Sequence, residues 1–166
     1  MSRVLLITGA SRGIGAVTAT RAAARGYRVG VNYRVNRAAA DEVVAGIRAA
    51  GGTAVALAGD VAVEDDVVRM FAECGHALGP ITDLVNNAGV VDMKARVDEM
   101  SAARLQRMFA VNVFGTILCA REAVRRMSPK HGGRGGVIVN VSSVAARIGS
   151  PGEYVDYAAA KGAVDV

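Results

Sequence analysis

Tyr157 and Lys161 stand close to the end of the chain, in EYVDYAAAKGAVDV (153–166), with only alanine between them. Residues four apart on a helix share one face, so both side chains can reach the same substrate. A phenol with a pKa near ~10 is a poor base at neutral pH. Lowering that value by about three units takes roughly 4 kcal/mol of preference for the phenolate. An ammonium about 4 Å away supplies a Coulomb term of that order at an effective dielectric of about 20. The pair is therefore suited to moving a proton to or from a substrate oxygen. Tyr154 has Ala158 in place of the lysine and is expected to be an exposed helix residue.

A second cluster lies at the opposite end of the chain. TGASRGIG (8–15) places Gly9, Gly13 and Gly15 around Ser11, Arg12 and Ile14. Glycines allow a tight turn and close approach of backbone N–H groups to a pyrophosphate at a helix N-terminus. No Gly-Lys-Ser/Thr follows, which excludes a P-loop. Sites for NAD usually carry an acidic residue about 20 positions further on. Here no acid precedes Asp41, and the first forty residues hold seven arginines. Asn32, Tyr33 and Arg34 fall at the end of the second expected strand. A guanidinium there welcomes a 2′-phosphate, so Arg34 and Arg12 favour NADP(H) over NAD(H). Arg21, Arg25 and Arg28 are expected to be solvated.

These residues need a scaffold, and the hydrophobic pattern supplies one. Val4–Ile7, Val29–Val31, Ala54–Ala58, Leu84–Val85 and Val137–Val141 are nearly continuous apolar runs, as in parallel strands covered on both faces. Between them run helical patterns at 13–25, 38–50 and around Val67–Leu78, then one long helix from about Ser101 to Met127. Successive βα units predict an α/β fold with a doubly wound parallel (Rossmann) sheet, forming one dinucleotide-binding domain over 1–166. Such sheets bind ligands at the carboxyl ends of their strands, where each of these motifs falls.

Composition narrows the function classes. Hydrophobic residues make up 52% of the chain and no apolar run approaches the ~20 residues of a membrane span. MSRVLLITGA runs into a glycine turn, not a cleavage site, so no signal peptide and no membrane partner is expected. Cys74 and Cys119 lack metal-ligand spacing and read as reduced core thiols, which fits the cytoplasm. The net charge of +5 is spread over many helices without interleaved aromatics, so no nucleic-acid partner is expected. The cluster Arg125, Arg126, Lys130, His131 and Arg134 reads as a solvated face, with docking of an acidic carrier protein as the alternative.

Taken in order, the motifs resemble the short-chain dehydrogenase/reductase family. TGASRGIG is similar to its TGxxxGxG turn. Asp60-Val61 follows the third strand, and Asn86-Asn87-Ala88-Gly89 matches its NNAG motif after the fourth. Asn112, Ser142-Ser143 and the Tyr157/Lys161 pair complete the set across almost the whole chain. The resemblance implies that Tyr157 gives a proton to a substrate carbonyl and that Lys161 tunes the phenol and binds the nicotinamide ribose. It further implies that Ser143 holds the carbonyl oxygen and that Asn112 keeps a water-linked proton relay in place. Asp60 and Val61 would meet adenine, and Asn87, Ala88 and Gly89 would wall the cofactor.

The implied activity is hydride transfer between NADP(H) and a small-molecule carbonyl or secondary alcohol, with 3-oxoacyl thioesters and sugars or polyols both open. The implied assembly is a homo-tetramer or homo-dimer. Two departures stand out. The gap from Ser143 to Tyr157 is longer than the family's commonest, which keeps Ser142 in play. Family members also continue well past this lysine, so a C-terminally truncated chain is expected, with Val137–Val141 as an exposed apolar edge strand. The alternative function is a nucleotide-binding module without turnover. A methyltransferase fits the sheet but not the site, because no acid is placed for the ribose.

Overall fold

A computed structural model describes residues 3–166. The strands are β1 (Val4–Ile7), β2 (Arg28–Tyr33), β3 (Thr53–Ala58), β4 (Asp83–Asn86) and β5 (Val137–Asn140). They form one parallel sheet in the order β3-β2-β1-β4-β5. β1 lies at its centre and all four of its residues are buried. Side chains alternate across a strand, so Leu5 and Ile7 pack into one layer and Val4 and Leu6 into the other. β5 is an edge, with Val137 and Val139 each 48% exposed, as the apolar pattern and strand order predict.

Helices α1 (Gly13–Ala23) and α2 (Arg37–Ala49) cover one face, where Val29, Val31, Val44 and Ile47 meet Leu5 and Ile7. On the other face lie α3 (Glu64–Leu78) and a broken helix whose halves are α4 (Ala102–Phe109) and α5 (Gly115–Met127). Phe71, Leu84, Cys74 and Cys119 are fully or almost fully buried there. Burial pushes both thiols up to about 12, which keeps them protonated and unreactive. A short α6 (Ala145–Ile148) leads to α7 (Val155–Asp165), whose Ala160 packs on Met108 and Val113. Among the described residues no helix is long and apolar enough to cross a membrane.

The long helix expected over Ser101–Met127 is interrupted. Ala110–Phe114 form a π-helical segment, and the Gly115 N–H bonds to the carbonyl of Ala110, five residues back. The cause is a side chain. Asn112 Nδ2 donates to the carbonyl of Met108 at 2.9 Å, the acceptor that an undisturbed α-helix reserves for the backbone N–H of Asn112. Such bulges recur at functional sites.

The basic cluster also differs from a plain solvated face. Arg125 and Arg126 both pair with Glu122, which is 2% exposed, and Arg126 stacks over Phe71 with 5.2 Å to the ring centroid. Burial pushes the Glu122 carboxyl up, and hydrogen bonds from Arg126 and Arg125 more than reverse the effect, leaving it below its ordinary value.

Candidate functional site

The glycine turn between β1 and α1 is fixed from both sides. Asn32 of β2 accepts from the N–H of Gly9 through Oδ1 at 3.0 Å. Its Nδ2 donates to the carbonyls of Leu57 at 3.2 Å and Gly59 at 3.0 Å. From the β4 side, Asn87 Nδ2 donates to the carbonyls of Thr8 at 2.9 Å and Gly9 at 3.0 Å. Thr8 Oγ1 accepts from the N–H groups of Asn87 and Ala88, each at 3.0 Å. Gly9 has φ +61°, and a Cβ there would stand 2.8 Å from Ala88 Cα. Only glycine fits both the backbone conformation and the approach of the two loops. Asn86 is likewise a tie, donating to Asn140 at 2.9 Å and to the carbonyl of Thr116 at 3.3 Å.

Held in this way, the turn presents an uncapped helix start. Arg12, the residue before α1, has extended backbone and makes no side-chain capping bond, and the first turn carries no acid. The leading N–H groups of a helix lack partners within it and bear partial positive charge. This donor set fits a pyrophosphate.

In front of the turn opens a cleft of about 440 Å³, within the size range of small-molecule and cofactor sites. Gly9, Ser11, Arg12, Gly13 and Ile14 form one wall. Asn32, Tyr33 and Arg34 border it at the end of β2, and Asp60 and Val61 at the end of β3. Asn87, Ala88 and Gly89 close it after β4. The lining also takes in Val35, Asn36, Gly59, Val90 and Val111, which sequence reading missed. Their signal was adjacency alone, since each flanks or faces a motif without belonging to it. Gly15 lies behind this surface, where a Cβ would come within 2.6 Å of Asn87 Nδ2.

Asn32 and Tyr33 serve the scaffold more than a ligand. Asn32 borders the cleft, but its side chain is committed to backbone partners. Tyr33 is 8% exposed and belongs to the α1/α2 layer. Arg34, with its side chain 61% exposed, reaches Asp60 at 3.4 Å, while Asp60 also accepts from the N–H of Ala62 at 3.0 Å.

Tyr157 and Lys161 share the inner face of α7. Lys161 Nζ lies 5.8 Å from the Tyr157 ring centroid and donates to the carbonyl of Val141 at 2.6 Å. Lys161 is 5% exposed, and burial lowers its pKa against a smaller opposing effect of Asp165. A Cβ built on Gly89 would lie 2.8 Å from Asn112 Oδ1 and 3.8 Å from Lys161 Nζ. Lysine, asparagine and cleft wall therefore converge at Gly89. Asn112 is wholly buried, accepting from the N–H of Val90 at 3.2 Å and donating to its carbonyl at 2.9 Å.

Of the two serines, Ser142 donates to the carbonyl of Lys161 at 3.4 Å. Ser143 Oγ accepts from the N–H of Ala145 at 3.2 Å. The turn-capping bond thus belongs to Ser143. Accepting that bond leaves the Ser143 proton available to a ligand oxygen.

A family model described as short chain dehydrogenase matches residues 3–166. The chain is 52% identical over 162 residues to the uncharacterized oxidoreductase YgfF of Escherichia coli, covering 98% of this chain and 66% of that protein. It is 39% identical over 163 residues to a 3-oxoacyl-[acyl-carrier-protein] reductase of Synechocystis, covering 98% and 64%. Among solved structures, a mutant Serratia marcescens short-chain dehydrogenase/reductase superposes with a TM-score of 0.90 at 31% identity, covering 98% of this chain and 64% of that one. The chain thus spans about two thirds of the length of these relatives.

Proposed function

The chain belongs to the short-chain dehydrogenase family, and from that premise we propose that it is an NADP(H)-dependent oxidoreductase acting on a carbonyl or secondary alcohol. The observation that carries this reading is the convergence of Lys161 and Asn112 on Gly89, which lines the same cleft as Arg12 and Arg34. The uncapped start of α1 holds the pyrophosphate, and Arg12 with Arg34 faces the 2′-phosphate. Asp60 and Val61 border the adenine, and Asn87 to Gly89 form the wall toward the nicotinamide. When bound, the cofactor supplies or accepts the hydride.

The remaining chemistry belongs to the chain. In the reductive direction Tyr157 gives its proton to the substrate oxygen, and Ser143 donates a hydrogen bond to that same oxygen. Lys161 places positive charge beside the phenol and holds the nicotinamide ribose. Asn112 fixes the Val90 segment and, through the π-helical turn, the backbone from which a water-linked relay returns the proton. Within this reading residues 1–166 are one dinucleotide-binding domain of a cytoplasmic homo-oligomer, and its partner is a small molecule.

The test follows nicotinamide absorbance with NADPH and NADH separately, against ketones, sugars and 3-oxoacyl thioesters. Turnover with NADPH that Tyr157→Phe abolishes while leaving NADPH binding intact supports the reading. A second reading, binding without turnover, rests on the coverage of about two thirds of the relatives. NADPH binding with no turnover of any substrate, in the starting chain and in Tyr157→Phe alike, would replace the first reading by the second.

A further inference from the structure

Beside Tyr157 the structure buries an ion pair that lies outside the proposed chemistry. Asp156, on the first turn of α7, has a fully buried carboxylate, and Arg104 of α4 is 11% exposed at its side chain. The pair is bidentate, with Nε to Oδ2 at 2.7 Å and Nη2 to Oδ1 at 3.2 Å. The third nitrogen, Nη1, donates to the carbonyl of Met93 at 2.7 Å. One guanidinium therefore joins three pieces of chain: α4, the turn that carries Tyr157, and the segment that leaves the cleft wall at Gly89. We propose that Arg104 and Asp156 are positioning residues, which hold Tyr157 in register with the cofactor wall through Met93. This rests on the catalytic reading of Tyr157 given above.

The geometry makes the bridge a second anchor for the 90–93 segment. Asn112 grips both backbone groups of Val90, and Arg104 grips Met93 three residues later. Both anchors stand on the same broken helix, one in α4 and one in its π-helical segment. Other ties reach this region: the N–H of Ala95 donates to the carbonyl of Glu153 at 3.0 Å, Lys94 pairs with Glu153, and Arg107 pairs with Asp92. The lysine and arginine of those two pairs are 64% and 61% exposed at their side chains, and exposed pairs hold geometry weakly. The Asp156 carboxylate is out of water, so its orientation is tightly specified. The planar guanidinium engages both carboxylate oxygens through two nitrogens and still donates to a third acceptor through the remaining one.

The experiment is hydrogen–deuterium exchange on the full chain, with kcat per bound NADPH measured in parallel. Arg104→Lys keeps the charge but cannot span all three acceptors. The double variant Arg104→Met with Asp156→Leu removes both buried charges together, a change that cores often tolerate, so at least one altered chain stays folded. In both, exchange should accelerate jointly in residues 90–96 and 154–158, with β1, β2 and β3 unchanged. Turnover per NADPH site should fall by about tenfold or more, as for a misplaced catalytic group, while the KM for NADPH stays the same. Unchanged exchange in either segment overturns the inference, as does a uniform loss of protection. Faster local exchange with unchanged kcat also overturns it, reducing the pair to a structural pin. Absence of turnover in the unsubstituted chain counts against the proposed function alone, and the exchange data still decide whether the two segments are coupled.

Discussion

Lys161 Nζ donates to the carbonyl of Val141 at 2.6 Å, which points the buried ammonium at the first residue beyond β5. One carbonyl is scant compensation for a buried charge, and burial lowers the lysine pKa. The folded chain therefore holds this proton less tightly than the unfolded chain. Between the lowered value and the ordinary one the unfolded state binds more protons, so stability rises with pH across that window. Below it the cost is present in full.

Lys161→Met should accordingly melt no lower than the parent at neutral pH. The parent should then gain on the variant as pH climbs toward 10, a difference read from paired thermal melts. Under the proposed function turnover should fall by about 100-fold or more, because the phenol that transfers the proton loses its neighbouring positive charge. A variant that melts far lower at pH 7 would assign Lys161 to stability.

Asn112 makes the opposite case, a site residue on which the fold depends. Replacing it by Ala strips both backbone groups of Val90 of their partner, at about 1–3 kcal/mol for each buried group left unpaired. The melting temperature of Asn112→Ala should drop by several degrees. Asn112→Asp should be no milder, because a carboxylate would face the carbonyls of Val90 and Met108 where an amide now donates. Thermal unfolding checks the first effect, and NADPH binding at low temperature shows whether the cleft wall survives.

Much of this arrangement was legible in the sequence, for physical reasons that differ by element. β1 to β5 announced themselves as short apolar runs, which for β1 to β4 reflects cover on both faces of the sheet, whereas β5 is an exposed edge. The cleft was legible because glycine turns and strand ends are local features. The break at Ala110–Phe114 was not, since its cause is a side chain competing for the carbonyl of Met108 while holding a loop 22 residues away. Arg104 and Asp156 escaped for the same reason, being separated by 52 residues. Arg34 directly follows β2, near where the hydrophobic pattern ends the strand, but its pairing with Asp60 is a tertiary fact.

Gly9→Ala should damage binding and fold together. Its φ of +61° costs an L-residue roughly 1–2 kcal/mol, and the new Cβ would overlap Ala88 Cα at 2.8 Å. Backbone must move, because no flexible side chain can yield. The expected outcome is a lowered melting temperature and NADPH affinity weakened by at least about tenfold, seen by quenching of NADPH fluorescence. Affinity retained with only the melting temperature changed would mean that this turn does not cradle the cofactor.

The proposed cofactor preference turns on Arg34, whose exposed guanidinium lines the cleft within 3.4 Å of Asp60. If a 2′-phosphate docks there, the phosphate must compete with that carboxylate, and the exposed setting trims the gain. Charge-assisted hydrogen bonds contribute about 1.5–3 kcal/mol when well placed, so the lower end, near tenfold in affinity, is the reasonable expectation. Arg34→Ala should weaken NADPH about tenfold while leaving NADH almost unchanged, and Arg12→Ala should add to the effect. Raising ionic strength should erode the NADPH advantage in the parent but not in the double variant, because exposed charges are screened. Paired titrations with NADPH and NADH at two salt concentrations decide the matter. Equal weakening of both nucleotides would place Arg34 against the pyrophosphate or ribose shared by the two, and would remove the basis for preferring NADP(H).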